Sequence, residues 1–355
     1  MYSASYYPYE LALRQPAGTS RGTLHTRKTC FVRLVRTDAP DVAGWGECGP
    51  VAGLSIDDTP DLLDRVAQVC TEINRGVEMA ALDLVPLPAL AFALECAQLD
   101  LRRGGKQQLF DTEFTRGESG LSTHGLIWMD THEGILRQIE QKAQQGFRCI
   151  KIKVGALAFE AEVALLRAIR QHFPAGEFEL RLDANGAFTP ATALERLHEL
   201  AQFDIHFLEQ PIKPARTQPN GAEAMAALCA QSPIALGLDE ELIGVQVAQI
   251  EALLDGIRPQ HLVLKPMQLG GLAAAEAWMA AAEARGIAWW INSALESNVG
   301  LNALCQWLSA RDAARVHGLG TGQLYVNNID SPLRLDGCML RYDPNGRWDL
   351  STDNL

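Results

Sequence analysis

This chain has no Cys-x-x-Cys pair, no excess of positive charge, no apolar run of membrane length and no low-complexity stretch. Each absence removes a class of function. With 31 Lys and Arg against 43 Asp and Glu, the net charge of −12 argues against nucleic acid or an anionic membrane as partner. The eight cysteines are scattered, and several sit inside apolar runs, so reduced buried thiols are expected rather than disulfides or a zinc knuckle. Met1 to Pro8 carries no basic segment followed by an apolar one, so no secretory leader is expected. No apolar stretch approaches the roughly 20 residues that span a bilayer. A cytoplasmic location follows as an expectation. The oligomeric state stays open.

With 47% hydrophobic residues the chain can bury a large core, and its length suits one large domain plus a smaller one. In residues 1–120, Tyr9–Arg14 and Thr29–Arg36 alternate like antiparallel strands. Gly18–Gly22 reads as a polar loop and Gly44–Pro50 as turn-rich; 59–75 and 87–103 read as helices. Strands followed by helices predict an α+β domain. From His124 onward the pattern becomes strand–helix alternation, with strands expected at 124–129, 149–154, 178–183, 206–209, 234–239, 261–265, 287–292 and 315–319. Asp130 with Glu133 resembles a capping box, Thr189-Pro190 a helix start, and Gly146 and Gly286 helix ends. The expected fold is α/β: a (β/α)8-type barrel, most simply in (β/α)7β form, over 121–324. An N-terminal α+β capping domain over 1–120 should be rejoined by the tail, 325–355.

Five of the expected strands end on an ionisable residue: Lys153, Asp183, Glu209, Asp239 and Lys265. They are 30, 26, 30 and 26 residues apart, close to the roughly 30-residue repeat of a βα barrel. Barrel active sites lie at the C-terminal strand ends, so these groups should converge at one mouth. Singly, each acid reads as a helix cap or a loop residue. At three successive strand ends, Asp183, Glu209 and Asp239 read as hard oxygen ligands for Mg²⁺, with Mn²⁺ as substitute and Zn²⁺ disfavoured. Lys151 and Lys153 share one side of their strand, and Lys265 lies across the ring. Like charge and a metal should draw their pKa values toward neutrality, as a general base requires. Arg181 shares Asp183's face, either as catalytic support or as counter-ion to the acids. Asn292–Ser297 and Gly318–Gly322 offer hydroxyls and backbone N–H groups for a carboxylate, although turn chemistry alone also explains such glycines.

The stretches Lys151-Ile-Lys153, Asp183-Ala-Asn185, Glu209-Gln-Pro211, Asp239-Glu240 and Lys265-Pro266 resemble the muconate lactonising subgroup of the enolase superfamily. Gly44-Trp-Gly-Glu47 is similar to that superfamily's capping-domain signature. Gly18–Gly22, Gly49–Ser55, Ser293–Asn298 and His317–Gln323 resemble the ortho-succinylbenzoate synthase family. The resemblance implies a dehydratase of menaquinone biosynthesis that acts on a small dicarboxylate. The substrate would be 2-succinyl-6-hydroxy-2,4-cyclohexadiene-1-carboxylate and the product 2-succinylbenzoate. It implies Lys153 as base and then acid, Lys265 as stabiliser of an enediolate, and Lys151 as electrostatic support. It further implies substrate contacts from Ser20, Arg21, Leu54, Arg181, Asn185, Ser293, Leu295, Gly320 and Thr321, with the loops at 20–21 and 53–54 closing over the mouth. Alternatives are an N-succinylamino acid racemase on the same groups, a Schiff-base aldolase at Lys265, and a non-catalytic binding barrel. A dipeptide epimerase is disfavoured, because Gly318–Gly322 has no Asp-x-Asp for an ammonium group.

Overall fold

The computed structural model describes residues 1–19 and 22–350. Three N-terminal strands, β1 (Tyr2–Thr19), β2 (Gly22–Arg36) and β3 (Ala39–Cys48), form an antiparallel sheet in the order β1-β2-β3. Helix α1 (Leu62–Asn74) offers it a stripe of Val66, Val69, Cys70 and Ile73, at the spacing of one helix face. Helix α2 (Pro88–Arg102) buries ten residues, because it is covered on more than one side. Strand β2 is buried on both faces: Val32 and Leu34 enter the main core, and Phe31 joins Trp45, Val299 and Ile329 in a second cluster.

Of the turn-rich stretch expected over Gly44–Pro50, Gly44 to Cys48 is instead the end of β3. The glycines serve a close approach to α2. A Cβ on Gly44 would lie 2.0 Å from the Ala97 carbonyl oxygen, and one on Gly46 1.9 Å from that of Ala93. The chain turns only beyond Cys48.

A short strand β4 (Gly120–Ser122) leads into the barrel. Its units are β5 (Gly125–Ile127) with α3 (His132–Gln144), β6 (Cys149–Lys153) with α4 (Phe159–His172), and β7 (Glu179–Asp183) with α5 (Pro190–Leu200). Then come β8 (Ile205–Glu209) with α6 (Gly221–Gln231), β9 (Leu236–Leu238) with α7 (Ile250–Ile257), and β10 (His261–Leu264) with α8 (Pro266–Leu269) and α9 (Leu272–Glu283). The last is β11 (Ala288–Ile291) with α10 (Asn298–Ser309). Strands β5 to β11 pair in parallel, in chain order. The eighth position, expected as a strand over 315–319, is two bridges: His317 pairs with Thr123 and Gly318 with Asn292. The His317 carbonyl accepts from His124 N at 2.8 Å, and Gly318 N donates to the Ile291 carbonyl at 2.8 Å. The segment thus joins both sheet edges and closes the ring. Among the described residues no α-helix follows it, only a 3-10 turn at Gly320–Gln323, which gives the (β/α)7β form. At α3 the cap is Thr131, whose hydroxyl accepts from Gly134 N at 3.1 Å, and not Asp130. Asp130 instead accepts from Thr131 N.

The tail touches both parts. Asn327 Oδ1 accepts from Ala12 N at 2.7 Å on β1. The hairpin β12 (Leu333–Asp336) and β13 (Met339–Tyr342) pairs with β4 through β13. Two acids, one half-buried and one fully buried, key the N-terminal layer onto the barrel. Glu95 of α2 accepts from Leu272 N at 2.6 Å and Ala273 N at 3.1 Å, at the start of α9. Glu47 of β3 accepts from Ser297 N at 2.9 Å and Gly300 N at 3.0 Å, at the start of α10. Helix N-termini present unpaired N–H groups and a positive dipole end, so a carboxylate there is favourable. Among the described residues, no helix is long and apolar enough to cross a membrane.

Candidate active site

The pleat of β6 sends Ile150 and Ile152 outward into the layer packed by the helices and leaves Lys151 and Lys153 inward. In register, Lys153 pairs with Asp183 and Asp183 with Glu209. The three strand ends therefore deliver their side chains to one place. Lys151 Nζ lies 2.9 Å from Asp183 Oδ2 and 2.6 Å from Glu209 Oε2. Lys153 Nζ lies 3.6 Å from Asp183 Oδ2 and donates to Asn185 Oδ1 at 2.5 Å. Across the ring, Lys265 Nζ is 2.5 Å from Asp239 Oδ2. Asp183, Glu209, Asp239 and Lys151 are all at least 96% buried.

Set by the protein's own groups alone, Lys151 and Lys265 are held up and not drawn toward neutrality. For Lys151, burial lowers the value, but Asp183, Glu209 and Asp239 outweigh it and hold the ammonium well above its usual range. Lys265 is also raised: burial opposes, and Asp239 and Glu209 prevail. The reason is the count of acids. Glu240, buried beside Asp239, adds a fourth carboxylate to the three expected. Asp183 is driven low, since Lys151 and Lys153 overcome its burial. Glu209 goes the other way: burial and then Asp183 push it up, against Lys151.

Glu209 also tests whether a metal fits. Both its oxygens are buried without a hydrogen-bond partner; Lys151 approaches one as an ion pair, outside hydrogen-bond geometry. A carboxylate stacked among other acids without enough countercharge, with lone pairs unmet, suits an oxygen-ligated divalent cation. Among the described residues the acids are not drawn into a ready cation cage. The ammonium groups of Lys151 and Lys265 lie against their oxygens instead. The donor set, three carboxylates and no thiolate or imidazole, fits Mg²⁺.

All of these groups except the fully buried Glu209 line a cavity of about 1180 Å³ between the barrel mouth and the N-terminal layer. Leu54, Asn185, Ser293, Leu295 and Gly320 line it, as expected. Asn185 is held from both sides, accepting from Lys153 and donating to Glu240 Oε1 at 3.0 Å. Arg181 does not belong there. It is the counter-ion of Glu179, at 2.7 Å, rather than of Asp183, and its guanidinium lies 4.7 Å from the Trp290 ring centre. Two residues before Asp183, it points inward but one layer deeper. Ser20, Arg21 and the side chain of Thr321 lie outside the described residues.

Sequence reasoning missed three neighbours. Glu240 was visible as the second acid of Asp239-Glu240. Arg27, 5% exposed, donates to the carbonyls of Leu295 and Gly49, so it ties the N-terminal sheet to the loop after β11. Its signal was faint: one arginine inside the strand Thr26–Thr29. His124, on the cavity wall, carried no signal at all.

Residues 134–337 match the family model for the enolase C-terminal domain-like fold. The o-succinylbenzoate synthase of Desulfotalea psychrophila is 44% identical over 95% of this chain and 98% of its own length. The chain belongs to the o-succinylbenzoate synthase family of the enolase superfamily. The crystal structure of MenC from the same organism superposes with a TM-score of 0.84 at 39% identity, covering 96% of this chain and 99% of that one. The family's fold also recurs in the o-succinylbenzoate synthase of Thermosynechococcus elongatus, solved with Mg in its active site. That structure has a TM-score of 0.71 at 24% identity, over 89% of this chain and 92% of that one. At that identity the likeness speaks for the fold.

Proposed function

We propose that this protein dehydrates 2-succinyl-6-hydroxy-2,4-cyclohexadiene-1-carboxylate to 2-succinylbenzoate, as a cytoplasmic enzyme of menaquinone biosynthesis. The observation that carries this reading is the convergence of three ammonium groups and three buried acids at one cavity, with Glu209 just behind its wall, in a chain of this family. Asp183, Glu209 and Asp239 would hold the metal, Mg²⁺ or Mn²⁺ in its place. When bound, the cation supplies Lewis-acid stabilisation to the two oxygens of the substrate carboxylate.

Lys153, as the free amine, takes the proton from the ring carbon α to the carboxylate. The C–H electron pair forms a double bond to the carboxylate carbon, and negative charge gathers on the carboxylate oxygens. Asn185 Oδ1 fixes the Lys153 nitrogen for this approach. The ammonium so formed then gives its proton to the hydroxyl on the neighbouring carbon. That C–O bond breaks, its electron pair leaves with the oxygen as water, and the ring becomes aromatic. Lys265 balances the developing charge from the opposite wall, and Lys151 neutralises the acids beneath the site. Water is kept out by Leu54 and the other N-terminal residues over the mouth. Arg21 is proposed to meet the second carboxylate of the substrate.

The test is an ultraviolet assay for aromatisation, run beside N-succinylamino acid racemisation. Racemisation with no aromatisation would assign the same groups to the other reaction.

A further inference from the structure

His124 lies on the cavity wall, 6% exposed, just before β5. Both its ring nitrogens are buried without a hydrogen-bond partner, and so is Oδ1 of Asn292, which follows β11. The two side chains meet over Gly318, in the segment that closes the barrel. A Cβ on Gly318 would stand 2.1 Å from Asn292 Oδ1 and 2.6 Å from His124 Nε2. Any other residue at 318 would therefore displace the pair. Burial first, then Arg181 and Lys151, hold the imidazole well below its usual value; the nearby Asn292 side chain and Gly125 backbone pull the other way.

A buried polar atom without a partner costs about 1–3 kcal/mol. Three such atoms on two adjacent side chains, bordering the cavity, call for a ligand atom between them. The position says which part of the ligand. The lysines and acids occupy β6 to the end of β10, so they claim the carboxylate end of the substrate. His124, Gly318 and Asn292, from β5, the closing segment and β11, lie across the ring from the acids of β7 to β9 and between the two strands that carry the lysines, and that side is left for the part that does not react. A neutral imidazole brings one N–H, and the amide brings two whichever way it is turned.

We infer that His124 and Asn292 form a neutral donor subsite that takes an acceptor oxygen of the substrate's succinyl arm, and so select for that arm. The inference rests on the reaction assigned above. It goes beyond the lysines and acids that carry out the chemistry.

The experiment measures turnover of the cyclohexadiene, and inhibition constants for 2-succinylbenzoate and for benzoate, which keeps the ring carboxylate but lacks the arm. Wild type, His124→Leu, His124→Gln and Asn292→Ala are compared, each with Mg²⁺. In His124→Leu, inhibition by 2-succinylbenzoate should weaken ~10- to 100-fold, with benzoate unchanged within about twofold. KM should rise more than kcat falls. His124→Gln, which keeps a donor, should recover most of the loss. If His124→Leu does not fold, Asn292→Ala gives the same readings, with a loss of about tenfold for the succinyl compound alone. Equal weakening of both inhibitors, or no weakening in either variant, overturns the subsite. Wild-type protein that does not aromatise the cyclohexadiene overturns the assigned reaction, and the subsite with it. Turnover with unchanged variants overturns the subsite alone.

Discussion

Glu47→Ala should loosen the joint between the N-terminal sheet and the barrel. The side chain is fully buried. It accepts from Thr29 Oγ1 at 3.0 Å, Ser297 N at 2.9 Å, Ser297 Oγ at 2.5 Å and Gly300 N at 3.0 Å. Removing it leaves two buried backbone donors, Ser297 N and Gly300 N, with no acceptor. At about 1–3 kcal/mol for each orphaned group, the loss is about 4 kcal/mol. Unfolding entropy near 2.1 cal/mol/K per residue gives about 0.75 kcal/mol/K for a chain of this length, so Tm should fall by ~5 °C. Glu47→Gln keeps one acceptor oxygen and should lose about half as much. Calorimetry at pH 7 measures both. The damage should also reach the cavity, because Ser293 to Leu295 line it just ahead of the capped helix. kcat/KM should fall in Glu47→Ala while metal affinity holds. A Glu47→Ala protein that melts within 1 °C of wild type, on the order of measurement error, would refute the reasoning.

Chelation should abolish turnover and Mg²⁺ restore it, with Glu209→Gln inactive; full activity in metal-free Glu209→Gln would remove the metal assignment. Lys153→Ala should lose on the order of 10³-fold or more in kcat while 2-succinylbenzoate still binds, and near wild-type turnover would contradict its role as base. Burial pushes Asp57 up to about 6, against the hydrogen bond from Ala89 N. Between its ordinary value and about 6 the folded chain holds the proton more tightly than the unfolded chain, so this group's stabilising share is full at low pH and is lost as pH rises through 6. Asp57→Asn should therefore gain stability relative to wild type between pH 5 and pH 7, by about 1.3 kcal/mol in urea unfolding; a difference that stays constant with pH would remove that account.

Much of the barrel was readable because its strands are short, apolar and regularly spaced. Against that background an ionisable residue at a strand's end stands out, and Lys153, Asp183, Glu209, Asp239 and Lys265 did. The structure brings them together through parallel register, which makes residues far apart in the chain neighbours. What was not legible depends on contacts with no local sign. Gly44 and Gly46 look like turn residues until α2 is laid across them. Arg181 and Asp183 share a face, but only the barrel's depth separates the arginine from the acids. The raised values of Lys151 and Lys265 follow from the carboxylates gathered from three different strand ends, which no single segment reveals.

Glu47 and Glu95 each complete the first turn of a barrel helix from outside the barrel. Swinging the N-terminal layer away as a rigid body would strip both α9 and α10 of their acceptors at once. Each substrate entry would then carry a toll of several kcal/mol, slowing every catalytic cycle by orders of magnitude. Traffic in and out must pass through the short segments at the rim, near Leu24 and Val51 to Leu54, while the two layers stay locked. Product release should therefore respond to changes in those rim segments and be indifferent to cross-linking the sheet to α10.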